Sequence, residues 1–158
     1  MTKPPDPGAL AFLPATPQFL REILENPTSG ADLRGVAEAT QAHAERVGAQ
    51  PPWTGYFARK GESLVGVCSF AAPPSGGTVE IAYYTFPPNE GRGLASSMAG
   101  FLLGVAFAEP GIVAVTALTA PEHNASTRIL EKHGFVRDGV VTDHEIGEAW
   151  RWKKTRPL

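Results

Sequence analysis

Thr85-Phe86-Pro87-Pro88-Asn89-Glu90-Gly91-Arg92-Gly93-Leu94-Ala95-Ser96 is the stretch around which the rest of the chain arranges itself. Before it, Thr78–Phe86 is apolar and reads as a strand. After it, Leu94, Met98, Phe101, Leu102 and Val105 recur at helical spacing, and the helix is expected to reach Phe107. A strand therefore enters a tight loop, Pro87–Gly93, and the loop opens a helix. Such a junction aims backbone N–H groups and the positive end of the helix dipole at one point. Gly91 and Gly93 let the backbone approach a bulky anion, and Arg92 adds charge beside it. The pattern points to a phosphate or pyrophosphate site, with a plain helix-entry turn as the alternative. No Gly-Lys-Ser/Thr follows the glycines, so a Walker loop is excluded. Position 96 is Ser, so the dinucleotide pattern Gly-x-Gly-x-x-Gly is excluded too.

Working outward, punctuation marks the other elements. The chain has 17 glycines and 15 prolines in 158 residues. That exceeds the average share of about 12% but stays below the roughly 25–30% at which low-complexity disorder begins. With 42% hydrophobic residues the composition is that of a folded domain. Proline avoids element interiors, so the proline-free stretches are the elements. Leu10–Leu13 reads as a strand, and Pro17–Glu25 as a helix with Thr16 as N-cap. Ala31–Val47 has helical periodicity. Trp53–Arg59, Glu62–Ala71 and Thr78–Phe86 read as strands, the last two as an antiparallel hairpin turned at residues 73–77. Gly111–Thr119 is a β-branched strand, and Asn124–His133 a helix ended by Gly134. Val136–Val141 and Ala149–Lys153 close the chain as strands. The expected fold is α/β, with helices on a partly antiparallel sheet, and the length suits a single domain over residues 1–158.

Composition excludes several functions. A formal charge of −2 and a pI near 6.1 speak against nucleic acid and anionic membrane as partners. Cys68 is the only cysteine, which rules out a disulfide framework and a thiolate zinc cluster. His43, His123, His133 and His144 lack metal-ligand spacing and read as surface residues, so no metal is expected. No apolar run reaches the ~18 residues of a membrane span. The N-terminus, with one lysine and three early prolines, makes a poor signal peptide, and a cytoplasmic location is expected. The basic tail Arg151–Arg156 reads as a solvated end.

Glu80 is the only charged residue between Ser63 and Asn89, in the middle of an apolar strand. A carboxylate there needs a partner or a raised pKa. Two readings stay open: a general base acting through water, or a structural glutamate bonded to a neighbouring strand. Strand alternation puts Tyr84 on Glu80's face and Tyr83 on the other, unless a bulge intervenes. Each tyrosine is either core or pocket lining, or a proton donor. Trp150 and Trp152 share a face and belong to the core or to a cleft wall.

Two segments carry a family resemblance. Glu90-Gly91-Arg92-Gly93-Leu94-Ala95 resembles the acyl-CoA pyrophosphate loop of the GNAT N-acetyltransferase superfamily, Gln/Arg-x-x-Gly-x-Gly/Ala. Asn124-Ala125-Ser126-Thr127-Arg128-Ile129-Leu130-Glu131-Lys132-His133-Gly134-Phe135 resembles a second signature, Asn-x-x-Ser followed by Val-Leu-Glu-Lys-x-Gly-Phe. That signature typifies the branch of the ribosomal-protein alanine acetyltransferases (RimJ/RimL type). Gly139 and residues 148–152 also fit the branch. The match runs from about Glu62 to the C-terminus; before residue 60 only the strand–helix–helix outline agrees. The chain departs from the pattern in two places. Glu90 stands where the family has Gln or Arg. Asn124 lies two residues before Ser126 rather than three, and His123 takes the usual Asn place.

The resemblance implies the GNAT fold: a mixed, mostly antiparallel sheet of roughly six to seven strands, splayed at an acyl-CoA cleft and flanked by about four helices. Residues 1–60 would form the acceptor side, 61–135 the acyl-CoA core and 136–158 the closing strands. It implies acetyl-CoA as co-substrate and a primary amine as acceptor, either a protein N-terminus or a small amine. The amine would attack directly in a ternary complex. A homodimer is compatible with the branch. By the match, the cofactor contacts are Thr85, Phe86, Glu90, Gly91, Arg92, Gly93, Leu94, Ala95, Ser96, Asn124 and Ser126, with the Thr85 amide on the acetyl carbonyl. Glu80 is the candidate base. Ser126 is the candidate acid near the sulfur, unless it is only a helix N-cap, and Tyr84 is a second candidate. A non-catalytic acyl-CoA-binding regulatory module with the same fold is the alternative.

Overall fold

The structure, a computed structural model, describes residues 10–144 and 147–157. The early prolines Pro4, Pro5 and Pro7 lie outside the described residues. The chain runs through β1 (Leu10–Pro14), α1 (Pro17–Glu25), α2 (Ala31–Val47), β2 (Gly55–Lys60), β3 (Ser63–Phe70), β4 (Thr78–Thr85), α3 (Leu94–Ala108), β5 (Ala114–Thr119), α4 (Ala125–Lys132), β6 (Val136–Asp143) and β7 (Gly147–Thr155).

Local chemistry sets the helix ends. Thr16 caps α1 by accepting from the Phe19 N–H at 3.1 Å, with Pro17 in the first turn. α2 ends where Gly48 turns left-handed and donates to the Ala44 carbonyl. Both helices span the expected residues. Strand ends differ more, because pairing partners decide them. Trp53 lies outside β2, in an isolated bridge with Gln50. β5 starts at Ala114, three residues later than its composition suggested.

One seven-stranded sheet has the order β1-β2-β3-β4-β5-β7-β6. Every neighbouring pair is antiparallel except β4 and β5, which run parallel across the α3 crossover. Each face carries a core. Under α3 and α4 lie Val79, Ile81, Met98, Leu102, Val115, Leu130 and Trp152. Under α1 and α2 lie Leu20, Ile23, Ala37, Phe57 and Phe86. α3 sits close to the sheet because Gly66 has no side chain: a Cβ there would stand 2.7 Å from the Tyr84 carbonyl oxygen and 3.1 Å from Met98 Cε. No helix among the described residues is long and apolar enough to cross a membrane.

The basic tail is not a solvated end. Residues 151–155 belong to β7, and Arg156 clips the end of α3 to the start of β5. Its Nε donates to the Ile112 carbonyl (2.8 Å), Nη1 to that of Phe107 (3.0 Å) and Nη2 to that of Glu109 (2.7 Å). The guanidinium also lies over the Phe107 ring. Arg156→Ala should lower stability by about 2 kcal/mol, read from urea unfolding, since it strips three carbonyls of a charged donor. Arg156→Lys should recover only part, because one ammonium cannot span all three. A midpoint unchanged in the alanine variant would show the clip to be idle.

Candidate functional site

The loop after β4 is built as its glycines require. Pro87–Asn89 form a single 3-10 turn, and Gly91 and Gly93 follow with φ of 78° and 74°. These left-handed turns fold the main chain so that successive amides point inward. Gly93 then becomes the N-cap of α3, and the first helical bond runs from Ser97 N–H to its carbonyl at 3.2 Å. The N–H groups of residues 91–96 consequently have no acceptor among the described residues. They form the positive end of α3 and an open row of amide donors.

Beside this loop the sheet comes apart. β4 and β5 pair from Thr78↔Ala114 to Ile81↔Ala117 and no further, although β4 continues to Thr85. β4 stays paired with β3 to its end, and Phe86 N–H donates to the Val65 carbonyl at 2.9 Å. Alternation in an antiparallel ladder then turns the amides of Tyr83 and Thr85 away from β3, toward the departed β5. These two N–H groups face the opening between the strands. A cavity of about 720 Å³ lies between the end of β4, the loop, the start of α3 and the facing side of α4. Tyr84, Thr85, Glu90, Gly91, Gly93, Leu94, Ala95, Ser96 and Ser126 all line it.

Three expected cofactor contacts are not brought into the cavity. Phe86 is buried in the core under α1 and α2, with its amide already engaged by β3, so neither side chain nor N–H is free. Arg92 is exposed and does not line the cavity. Asn124 is the N-cap of α4: its Oδ1 accepts from Thr127 N–H at 3.1 Å, and its Nδ2 donates to Glu122 at 3.2 Å. Ser126 is consequently not the cap. It is the second residue of the helix and lines the cavity. Two cavity cations went unnoticed in the sequence. Arg128 and Lys132, one turn apart on α4, line the wall facing the loop and form no ion pair among the described residues.

The tyrosines separate as alternation requires. Tyr84 is exposed on Glu80's face and rests against the Phe86 ring. Tyr83 faces α4, and Ser126 is its polar neighbour. The contact pulls the Tyr83 pKa down as a hydrogen bond would, yet the buried hydroxyl has no well-aligned partner among the described residues. Burial outweighs Ser126 and holds the phenol above its ordinary 10.0, so it stays protonated. Tyr83, rather than Tyr84, is thus the tyrosine beside Ser126. Glu80 is half-buried one residue before the last β4–β5 pair. Burial first, and the like charge of Asp143 second, raise its pKa above 4.5.

His123 and His144 are exposed, as surface histidines should be, whereas His43 and His133 are half-buried. His123 packs edge-on against Trp150, His43 Nδ1 accepts from Arg46, and His133 reaches across to Ser96. Trp150 and Trp152 are on the α4 side of the sheet, where Trp152 Nε1 donates to Thr119 Oγ1 at 2.9 Å. They belong to the core.

The acetyltransferase (GNAT) domain family matches residues 6–136. No curated protein sequence matches the chain. Among solved structures, the RimL ribosomal L7/L12 alpha-N-protein acetyltransferase in complex with coenzyme A aligns at a TM-score of 0.66 and 16% identity, over 92% of this chain and 93% of that one. Aminoglycoside acetyltransferase AAC(6')-Ib in complex with coenzyme A aligns at 0.68 and 20%, over 94% and 95%. A dodecameric spermidine N-acetyltransferase from Vibrio cholerae aligns at 0.66 and 14%, over 92% and 93%. At these identities the likeness is one of fold.

The raised pKa of Glu80 has a consequence for stability. Above the ordinary carboxylate value of 4.5, the folded chain keeps a proton that the unfolded chain has released. Stability therefore falls as pH rises through the folded-state pKa. Glu80→Gln removes this titration. The variant should gain melting temperature over the native chain as pH goes from about 4 to 8, with the gap smallest at the acid end. Thermal unfolding across that range checks it, and a gap independent of pH would contradict the burial argument.

Proposed function

Since this chain belongs to the GNAT acetyltransferase family, we propose that it transfers an acetyl group from acetyl-CoA to a primary amine in a ternary complex. The observation that carries the reading is the continuity of the cavity. One end is a surface of unbonded amides at a helix N-terminus, and the other is the end of β4, where the Tyr83 and Thr85 amides have no β5 partner. An elongated ligand with a phosphate-rich end and a polar thioester end suits that shape.

In this reading the cofactor's pyrophosphate lies on the amides of residues 91–96, with Arg128 and Lys132 supplying charge from the opposite wall. The pantetheine arm runs between β4 and β5, and the Thr85 or Tyr83 amide donates to the acetyl carbonyl. Glu80, through water, takes a proton from the acceptor ammonium. The neutral nitrogen then attacks the carbonyl carbon. The C–N bond forms and the C–S bond breaks; the leaving thiolate takes a proton from the Tyr83–Ser126 pair, and the second proton released by the nitrogen passes through water to reprotonate that pair. Glu80 suits the base role because its raised pKa moves it toward that of its task. Tyr83 suits the acid role because burial keeps its proton in place. Tyr84, on Glu80's face, lines the acceptor side. The acceptor is a protein N-terminal amine or a small amine, in a soluble cytoplasmic setting.

Acetyl-CoA should raise the melting temperature, as a ligand at about 100 times its Kd adds about 2.7 kcal/mol. With an accepted amine, Glu80→Gln should lower kcat by about 10²–10⁴-fold, and kcat/KM of the native chain should rise with pH through the Glu80 ionisation. Tyr83→Phe and Ser126→Ala should lower kcat more than they raise KM for acetyl-CoA. No thermal shift at millimolar acetyl-CoA would overturn the reading. A shift without turnover on any amine would leave the non-catalytic acyl-CoA module.

A further inference from the structure

We propose that His133 is a positioning residue, which holds the Ser96 hydroxyl with its proton free to donate to a phosphate of the cofactor. This rests on the reading that the cavity takes acetyl-CoA.

His133 stands just after α4, and its side chain crosses to the first turn of α3. Its Nε2 lies 2.9 Å from the Ser96 carbonyl oxygen and 3.0 Å from Ser96 Oγ. A carbonyl oxygen only accepts, so Nε2 must carry the proton. The same N–H is shared with Oγ, which accepts as well and keeps its own O–H unengaged. The neighbouring Ser97 shows the contrast: its hydroxyl donates to the Gly93 carbonyl at 3.3 Å. Ser96 makes no such backward bond, and it lines the cavity at the third position of α3. There its hydroxyl adds a side-chain donor to the row of unbonded amides.

The niche for the imidazole is built into α3. Gly100 lies one turn beyond Ser96, and a Cβ at Gly100 would stand 3.4 Å from His133 Cε1. Ser96 and Gly100 thus present a small, polar strip, and the ring packs along it. The bond joins residues 37 apart in sequence and ties the loop-bearing end of α3 to the end of α4 that carries Lys132. It therefore sets the Ser96 rotamer and the spacing of the two cavity walls together.

The test compares two acetyl donors, acetyl-CoA and S-acetylpantetheine, which lacks the phosphates. The readout is the ratio of their kcat/KM values. His133→Ala should cut the preference for acetyl-CoA about tenfold, the scale of one hydrogen bond to a charged group. Ser96→Ala should do the same, and the double variant should lose no more than either single one. His133→Gln keeps an N–H donor at similar reach and should retain most of the preference. A preference unchanged in His133→Ala overturns the proposal. So does a glutamine variant as impaired as the alanine one, or losses that add in the double variant. If His133→Ala fails to fold, Ser96→Ala and His133→Gln still decide. A native chain neither stabilised by coenzyme A nor active with either donor refutes the cofactor reading itself, and the proposal with it.

Discussion

The parting of β4 from β5 after the Ile81↔Ala117 pair is the constraint on which the rest of the structure depends. Parallel strands joined by a crossover helix ordinarily stay paired to their ends, because an unpaired buried amide is costly. Here β4 keeps its other partner, β3, and loses only the β5 side. The Tyr83 and Thr85 amides are left open, and so is the wall that α4 covers. Tyr83 and Ser126 meet in that gap. The loop that follows β4 adds its own unbonded amides at the same mouth. A continuous sheet would leave no open amides at Tyr83 and Thr85. The cost is offset elsewhere, by two cores that clamp the sheet from both faces.

Features held by local chemistry were legible before any tertiary contact was known. The α1 and α2 boundaries follow from Thr16, Pro17 and Gly48, each acting within one turn. The loop glycines adopt the left-handed turns their position called for. Features set by distant partners were not legible in the same way. The start of β5 depends on where β4 and β7 offer partners. The burial of Phe86 depends on α1 and α2 folding back over it. Arg156 looked like part of a charged tail because its three carbonyl partners lie 44 to 49 residues away. Alternation placed Tyr83 and Tyr84 on opposite faces correctly, yet only the position of α4 shows which of them meets Ser126. Asn124 took the capping role because a Thr three residues on completes a capping box, which leaves Ser126 free to face the cavity.

Glu80 shows how stability and chemistry pull against each other at one residue. An apolar side chain would suit the middle of β4 better than a carboxylate. Burial and the charge of Asp143 both disfavour ionisation there. The same two terms bring the carboxylate nearer to the acidity needed for accepting a proton from an amine. A structural glutamate would be expected to gain a donor in its surroundings. Among the described residues none is seen for Glu80, and burial and the charge of Asp143 both favour the protonated form. A carboxylate left without a donor next to where the sheet opens is what the proposed base role asks for.

The charge of the loop resolves in a similar way. Glu90 lines the cavity, and Arg92, the only cation in the loop, does not. Taken alone, the loop would offer an anion its amides and one opposing carboxylate. Glu90 is exposed, so water screens its charge, while the amides and the helix end act at contact distance. The compensating charge comes from across the cavity, where Arg128 and Lys132 occupy successive turns of α4. The proposed anion site is therefore a property of two helices rather than of one loop. Its strength depends on how α3 and α4 are held together, and that makes the His133–Ser96 bond the natural place for the two walls to be joined.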